Sequence, residues 1–229
     1  TAAKYDITRA EQDAYAIRSY QNTALNTENG VFSNEIVGVS VPQRRGEPRL
    51  ILEDEEYKNV KFEKIPQLRA AFSPTGTVTA ANASSMNDGA AALILASATA
   101  VKKYDLKPLA KILSFADTAH ESAWFTTAPT HAAPKALALA KLAVTDVDYF
   151  EVNEAFSVVP LAFNKILNID INKVNIHGGA VSLGHPLGAS GARIVTTLQN
   201  ILQSKDATIG CAAICNGGGG ASALVIERV

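Results

Sequence analysis

Two short segments of this 229-residue chain hold side chains that can move protons and acyl groups. One is Cys215-Asn216-Gly217-Gly218-Gly219-Gly220 near the C-terminus, and the other, thirty residues earlier, is Gly184-His185-Pro186-Leu187-Gly188. Four consecutive glycines lose much backbone entropy on folding, so they belong where the chain takes φ > 0 or lets another group come close. Here they follow a thiol. Their N–H groups, that of Gly217 among them, could steady a thiolate and cradle a carbonyl oxygen. A buried cysteine without chemistry is the alternative, and it suits Cys211. His185 stands just ahead of a helical pattern whose N-terminus favours the neutral imidazole, a form that can accept a proton. A third segment, Asn153-Glu154-Ala155-Phe156, sits where a strand pattern meets an apolar helix pattern. Asn153 there is either a helix N-cap or a carboxamide that orients a water or a substrate oxygen, and periodicity leaves both open.

The elements that must position these residues follow from patterning. Thr8-Arg9-Ala10-Glu11 has the form of a capping box, and Ala10, Ala14, Ile17, Ala24 and Leu25 recur at helical spacing, which predicts an amphipathic helix over 8–27 ended by Gly30. Short β-prone stretches at 35–42 and 49–52 flank Arg45-Gly46-Glu47 as a hairpin, and the acidic run 53–56 reads as a solvated loop. Ser73-Pro74-Thr75-Gly76 is turn punctuation and marks a boundary near 75. Small residues dominate 77–98, where Asn87-Asp88-Gly89 turns into the apolar run 90–96, suited to a buried strand or helix face. From 109 onward strands and helices alternate. Strands are expected at 109–115, 149–152, 174–176, 208–215 and 221–228, and helices at 134–142, 154–167 and 189–203. Such alternation predicts a layered α/β domain whose last two strands pair directly across the glycines.

Bulk properties exclude several classes. With 47% hydrophobic and 19% charged residues the chain is a globular α/β type. A net charge of -1 argues against nucleic-acid binding, which needs a clustered basic surface. No apolar run approaches the roughly 20 residues that span a bilayer, so no membrane segment is expected. The two cysteines, four residues apart along one strand pattern, are poorly placed for a disulfide and fit a reducing compartment. His120, His131 and His177 read as loop or core histidines, and no zinc-type spacing is present. Gly188 and Gly191 do not complete a dinucleotide fingerprint, and no Walker loop occurs. The chain starts at Thr1, close to a helix-start signal, and reads as a piece of something longer; its C-terminus, Glu227-Arg228-Val229, is not a peroxisomal address.

Taken together, Asn153-Glu154-Ala155-Phe156, Gly178-Gly179-Ala180 running to Gly184-His185-Pro186, and Cys215-Asn216-Gly217-Gly218-Gly219 resemble the thiolase family in content and order. Thr77–Ser84 and Asn87–Ala92 resemble the thiolase segment bordering coenzyme A, so the resemblance runs the length of the chain, closest to the short-chain acetyl-CoA C-acetyltransferases. It implies a layered α/β/α thiolase-type C-terminal domain plus part of the loop domain: 1–75 the latter part of the substrate-covering loop domain, 76–105 the end of the N-terminal domain, 106–229 the C-terminal domain. It implies a reversible Claisen condensation of two acetyl-CoA to acetoacetyl-CoA. By resemblance Cys215 is the acid/base, His185 activates a nucleophilic cysteine and donates to the thioester oxygen, and Asn153 holds a water in the same oxyanion hole. Gly217 offers its N–H to a second hole, and Ser84 lies near pantetheine. The nucleophilic cysteine falls in an N-terminal half these 229 residues do not contain, so the chain alone should not turn over. Coenzyme A thioester is substrate and no cofactor is expected. A K⁺ site is aligned with Tyr20, Ala80, Ala81, Ala83 and Val181. A homodimer or homotetramer in the cytoplasm, or alternatively the mitochondrion, completes the expectation. A non-catalytic coenzyme A binding or scaffold module is the competing reading, and a ketoacyl synthase ranks lower because Cys215 fills a position where those enzymes usually carry a histidine.

Overall fold

The computed structural model describes residues 1–229. Its helices are α1 (Arg9–Glu28), α2 (Ala98–Lys103), α3 (Pro129–Leu139), α4 (Val158–Leu167), α5 (Ala180–Leu183) and α6 (Ser190–Ser204). Its strands are β1 (Val39–Val41), β2 (Arg49–Ile51), β3 (Ala110–Ala119), β4 (Tyr149–Val152), β5 (Ile209–Cys215) and β6 (Gly220–Arg228). No helix is long and apolar enough to cross a membrane.

The last four strands form one sheet in the order β3-β6-β5-β4, antiparallel except for the parallel pair β4–β5. Side chains on a strand alternate between faces, and β5 shows the consequence. Cys211, Ala213 and Cys215 join Ala132, Ala133, Ala136, Val159 and Phe163 in the core beneath α3 and α4. Ala212 meets Ile194, Leu198 and Leu202 of α6 on the other face. The result is the layered α/β/α arrangement expected from the sequence. Gly210 is required by this packing, because a Cβ there would lie 2.9 Å from the Leu198 side chain. β5 and β6 pair across the glycine turn as anticipated.

Several local expectations change. The capping box forms as predicted: Thr8 Oγ1 accepts from the Glu11 N–H at 3.1 Å, and the Thr8 N–H donates to Glu11 Oε2 at 2.6 Å. The buried face of α1, however, is Gln12, Asp13, Tyr15, Ala16, Ser19, Tyr20 and Thr23, while Ala10, Ala14 and Leu25 face solvent. A polar face is buried because hydrogen-bond partners wait for it across the interface, which apolar periodicity cannot register. α3 begins at Pro129 instead of near 134, since the earlier proline takes the first-turn position that suits its fixed φ. α4 begins at Val158, leaving 154–157 as a buried turn. Residues 174–176 form isolated bridges and no strand. The apolar run 90–96 adopts no regular element and is largely exposed, Ile94 at 94% and Leu95 at 75%. Hydrophobicity buries a segment only where another element packs over it, and none does here.

Candidate active site

The parallel strands β4 and β5 end on the same edge of the sheet. The Asn153 N–H continues their ladder by donating to Ala213 O at 2.9 Å, so Asn153 and Cys215 leave neighbouring strand ends together. Ligands of α/β sheets gather at such carboxyl ends. Asn153 is fully buried and caps no helix, since α4 starts five residues later. Its Nδ2 donates to Nε2 of His185 at 3.3 Å, while its Oδ1 is buried without a protein partner. Of the two sequence-based alternatives, the N-cap is therefore eliminated.

His185 reaches this position from a loop threaded against residues 85–87. Its N–H donates to Ser85 O at 2.8 Å, and Gly184 turns the chain with φ +90° where a Cβ would run into the Asn87 carboxamide. The ring is oriented from behind: Nδ1 lies 2.6 Å from Ser190 Oγ, whose own hydrogen goes to Pro186 O at 3.1 Å. With the serine hydrogen so engaged, Nδ1 is the donor and Nε2 keeps its lone pair facing Asn153. Burial first, and then the Arg193 charge, push the imidazole below its usual range. The shift favours the neutral imidazole, with burial as its first cause in place of the helix end expected from sequence.

Cys215 is 8% exposed and sits on the α3–α4 side of the sheet, in one cluster with Cys211 and Ala213. Burial pushes its thiol up to about 11, outweighing the one backbone N–H that favours the thiolate. The expectation of a glycine-stabilised thiolate is thus corrected: Cys215 rests as a thiol. Cys211, fully buried, is pushed to about 12. In the turn that follows, the Asn216 N–H donates to Gly220 O, and Gly219 O accepts from the His120 N–H at 3.0 Å. Gly218 and Gly219 both hold positive φ, and a Cβ on Gly219 would overlap the His120 carbonyl. Gly217 is exposed with open space around its Cα.

The remaining positions fall nearby. The Ser84 hydroxyl and N–H both donate to Ala155 O, at 3.0 and 3.1 Å, stitching the 79–86 segment along the buried turn after Asn153. Tyr20 and Val181 share an apolar cluster, and the Tyr20 ring meets Phe62 edge-on. The carbonyls of Ala80, Ala81, Ala83 and Val181 accept no backbone hydrogen bond, which leaves a set of hard oxygen donors. A cleft of about 800 Å³ opens beside Phe156 and Phe125, bounded by Ile7, Phe72 and Val158.

The sequence reading missed Glu154. It is fully buried, and its carboxyl accepts from Tyr15 Oη and Ser19 Oγ at 2.7 Å, Asn175 Nδ2 at 3.0 Å and the Val181 N–H at 3.1 Å. This hub joins α1 and α5 to the chain beside Asn153. Its signal lay in Gly178-Gly179: a Cβ on Gly179 would lie 2.5 Å from the Glu154 carboxyl carbon.

The fold and site define the class: a layered α/β architecture with histidine and asparagine paired at the end of parallel strands and a thiol on the next strand. Family models described as "Thiolase, N-terminal domain" and "Thiolase, C-terminal domain" match residues 1–99 and 106–228. The chain belongs to the thiolase family. It is 55% identical to an acetyl-CoA acetyltransferase of Schizosaccharomyces pombe, matching along 100% of its own length and 58% of that protein. It is 54% identical to a mitochondrial acetyl-CoA acetyltransferase of Bos taurus, over 100% of its length and 54% of that protein. Among solved structures, the Acat5 thiolase of Ascaris suum in complex with coenzyme A superposes with a TM-score of 0.90 at 44% identity, over 100% of this chain and 58% of that one. The chain therefore spans a little over half the length of the relatives it matches.

Proposed function

We propose that these 229 residues form part of an acetyl-CoA C-acetyltransferase and supply its acid/base thiol and one oxyanion hole. The observation that carries this reading is the His185–Asn153 pair, 3.3 Å apart with a buried, unpartnered carboxamide oxygen, beside the strand that ends in Cys215. The neutral Nε2 takes the proton of an attacking thiol and then, as N–H, donates to the thioester oxygen; a water on Asn153 is the second donor. Cys215 first gives its thiol proton to the coenzyme A thiolate that departs as the nucleophilic cysteine is acetylated, and in condensation the Cys215 thiolate so formed removes a proton from the methyl carbon of the second acetyl-CoA. The resulting carbanion attacks the acetyl thioester carbon, the enzyme sulfur leaves with the proton held by His185, and acetoacetyl-CoA forms. Thiolysis runs the same steps backward, with the Cys215 thiol protonating the departing carbanion. The Gly217 N–H faces the second oxyanion, and Ser84 borders pantetheine.

Cys211, inside a strand and fully buried, is no candidate for the acetylated nucleophile, which we assign to a segment outside residues 1–229. The carbonyls of Ala80, Ala81, Ala83 and Val181, free of backbone hydrogen bonds, are the oxygen donors that with Tyr20 would hold K⁺; equal activity in Na⁺ and K⁺ would dismiss it. A homodimer or homotetramer in the cytoplasm is the assembly proposed, with mitochondrial placement as in the name of the Bos taurus relative the alternative.

The test is acetoacetyl-CoA thiolysis by the full-length protein containing this chain. His185→Ala or Asn153→Ala should lower kcat by about 2.7–4 kcal/mol of transition-state stabilisation, 10²–10³-fold. Cys215→Ala should still be acetylated yet fail to condense. Coenzyme A binding without any turnover in the wild type would establish the scaffold reading instead.

A further inference from the structure

Behind the His185–Asn153 pair lies a charged cluster that none of these roles uses. Glu151 stands on β4 two residues before Asn153, and Arg193 stands on α6 one turn after Ser190, the residue that orients His185. Arg193 Nη1 donates to Glu151 Oε1 at 2.9 Å, with the Glu151 side chain fully buried and the Arg193 side chain 19% exposed. The contact is single and not forked: Glu151 Oε2 and Arg193 Nη2 are buried without protein partners, as are both carboxyl oxygens of Glu35. Glu35 follows the 3-10 turn Val31–Asn34, which is fastened to the same helix where Asn200 Nδ2 donates to Val31 O at 2.9 Å. Asp54, on the acidic loop, and Glu35 both sense the Arg193 charge, while Glu151 also senses the charge of Glu154.

Burial pushes the Glu151 carboxyl up to about 8 against the pull of Arg193, so desolvation consumes most of the pair's Coulomb energy and the contact is poor evidence for a stabilising device. It does fix geometry. The only side-chain ion pair between β4 and α6 is this one; Asn153 directly follows β4, and Ser190, the first residue of α6, holds the His185 ring.

We propose that Arg193 is a positioning residue for His185 and Asn153: it locks α6 to β4 through Glu151 and keeps a positive charge behind the imidazole. The proposal rests on the assignment of that pair to the oxyanion hole. The Arg193 charge also acts on His185, whose neutral form it favours. Displacements of about 1 Å at a reacting centre cost about 100-fold in rate.

The full-length protein tests this with two readouts, steady-state thiolysis and NMR titration of ¹³C-labelled histidine. Arg193→Gln should lower kcat about 100-fold, leave KM for coenzyme A within about 2-fold, and move the His185 midpoint upward. Arg193→Lys, which keeps the charge on a differently shaped head group, should leave the midpoint in place and restore part of kcat. Should Arg193→Gln fail to fold, the double variant with Glu151→Gln strands no buried charge and gives the same readouts. Wild-type kcat together with an unmoved His185 midpoint overturns the proposal. Failure of the underlying site assignment is distinguishable, since His185→Ala would then turn over normally.

Discussion

Replacing Glu154 by glutamine keeps its volume and changes one acceptor oxygen into an NH₂ group. The structure states what that does. Oε1 accepts from Tyr15 Oη and Asn175 Nδ2, and Oε2 accepts from Ser19 Oγ and the Val181 N–H. Either hydroxyl can rotate to accept from the new amide, but neither Asn175 Nδ2 nor the Val181 N–H can. Whichever way the glutamine sits, one N–H is set against another, and a buried donor left unsatisfied costs about 1–3 kcal/mol. For a chain of this size 1 kcal/mol moves the thermal midpoint by about 2–4 °C, so a cost of about 2 kcal/mol lowers it by about 4–8 °C. Glu154→Ala removes every acceptor at once and should cost more than the glutamine, since each buried donor left without a partner costs about 1–3 kcal/mol. Thermal unfolding followed by far-UV circular dichroism measures both. A glutamine variant within about 0.5 kcal/mol of wild type would show that the hub does not hold α1 and α5, and the account of the buried polar face of α1 would fail with it.

The glycine turn should be unequal in its tolerance: Gly219→Ala meets both a φ of +99° and the His120 carbonyl, and should cost several times more stability than Gly217→Ala, which has open space; similar unfolding midpoints would refute this. His177 is 2% exposed and packs edge-on against Phe32, and burial holds its imidazole near 4 where the unfolded chain titrates near 6.5. Between those values the unfolded chain binds more protons, so stability is complete above about pH 6.5 and falls by about 3 kcal/mol as pH drops through 4; His177→Gln should flatten this limb, and an unchanged acid profile in that variant would contradict it. With Cys215 near 11 and Cys211 near 12, alkylation by iodoacetamide at pH 7.5 should be slow at both and climb steeply toward pH 11 at Cys215 alone; fast labelling of Cys215 at neutral pH would show a thiolate the structure does not support.

The alternation of strands and helices after residue 109, the capping box at Thr8 and the direct pairing of β5 with β6 across the glycines were all decided by neighbours within a few residues, and so could be read along the chain. The chemical types at 153, 185 and 215 were legible for the same reason, as was their order. What tertiary structure alone decided is what each of those groups faces. The face of α1 that is buried is the polar one, because Tyr15 and Ser19 find their acceptor 139 and 135 residues away on Glu154. Asn153 could have been a cap until the fold set it against a ring 32 residues on. The thiol at 215 precedes glycines whose N–H groups suggested a thiolate, yet its surroundings are alanine, valine and phenylalanine drawn from the sheet and the α3–α4 layer. Periods of 2 and 3.6 register which side chains share a face; they carry no record of what lies opposite, and hydrogen-bond partners, local dielectric and proton affinity all belong to that opposite side.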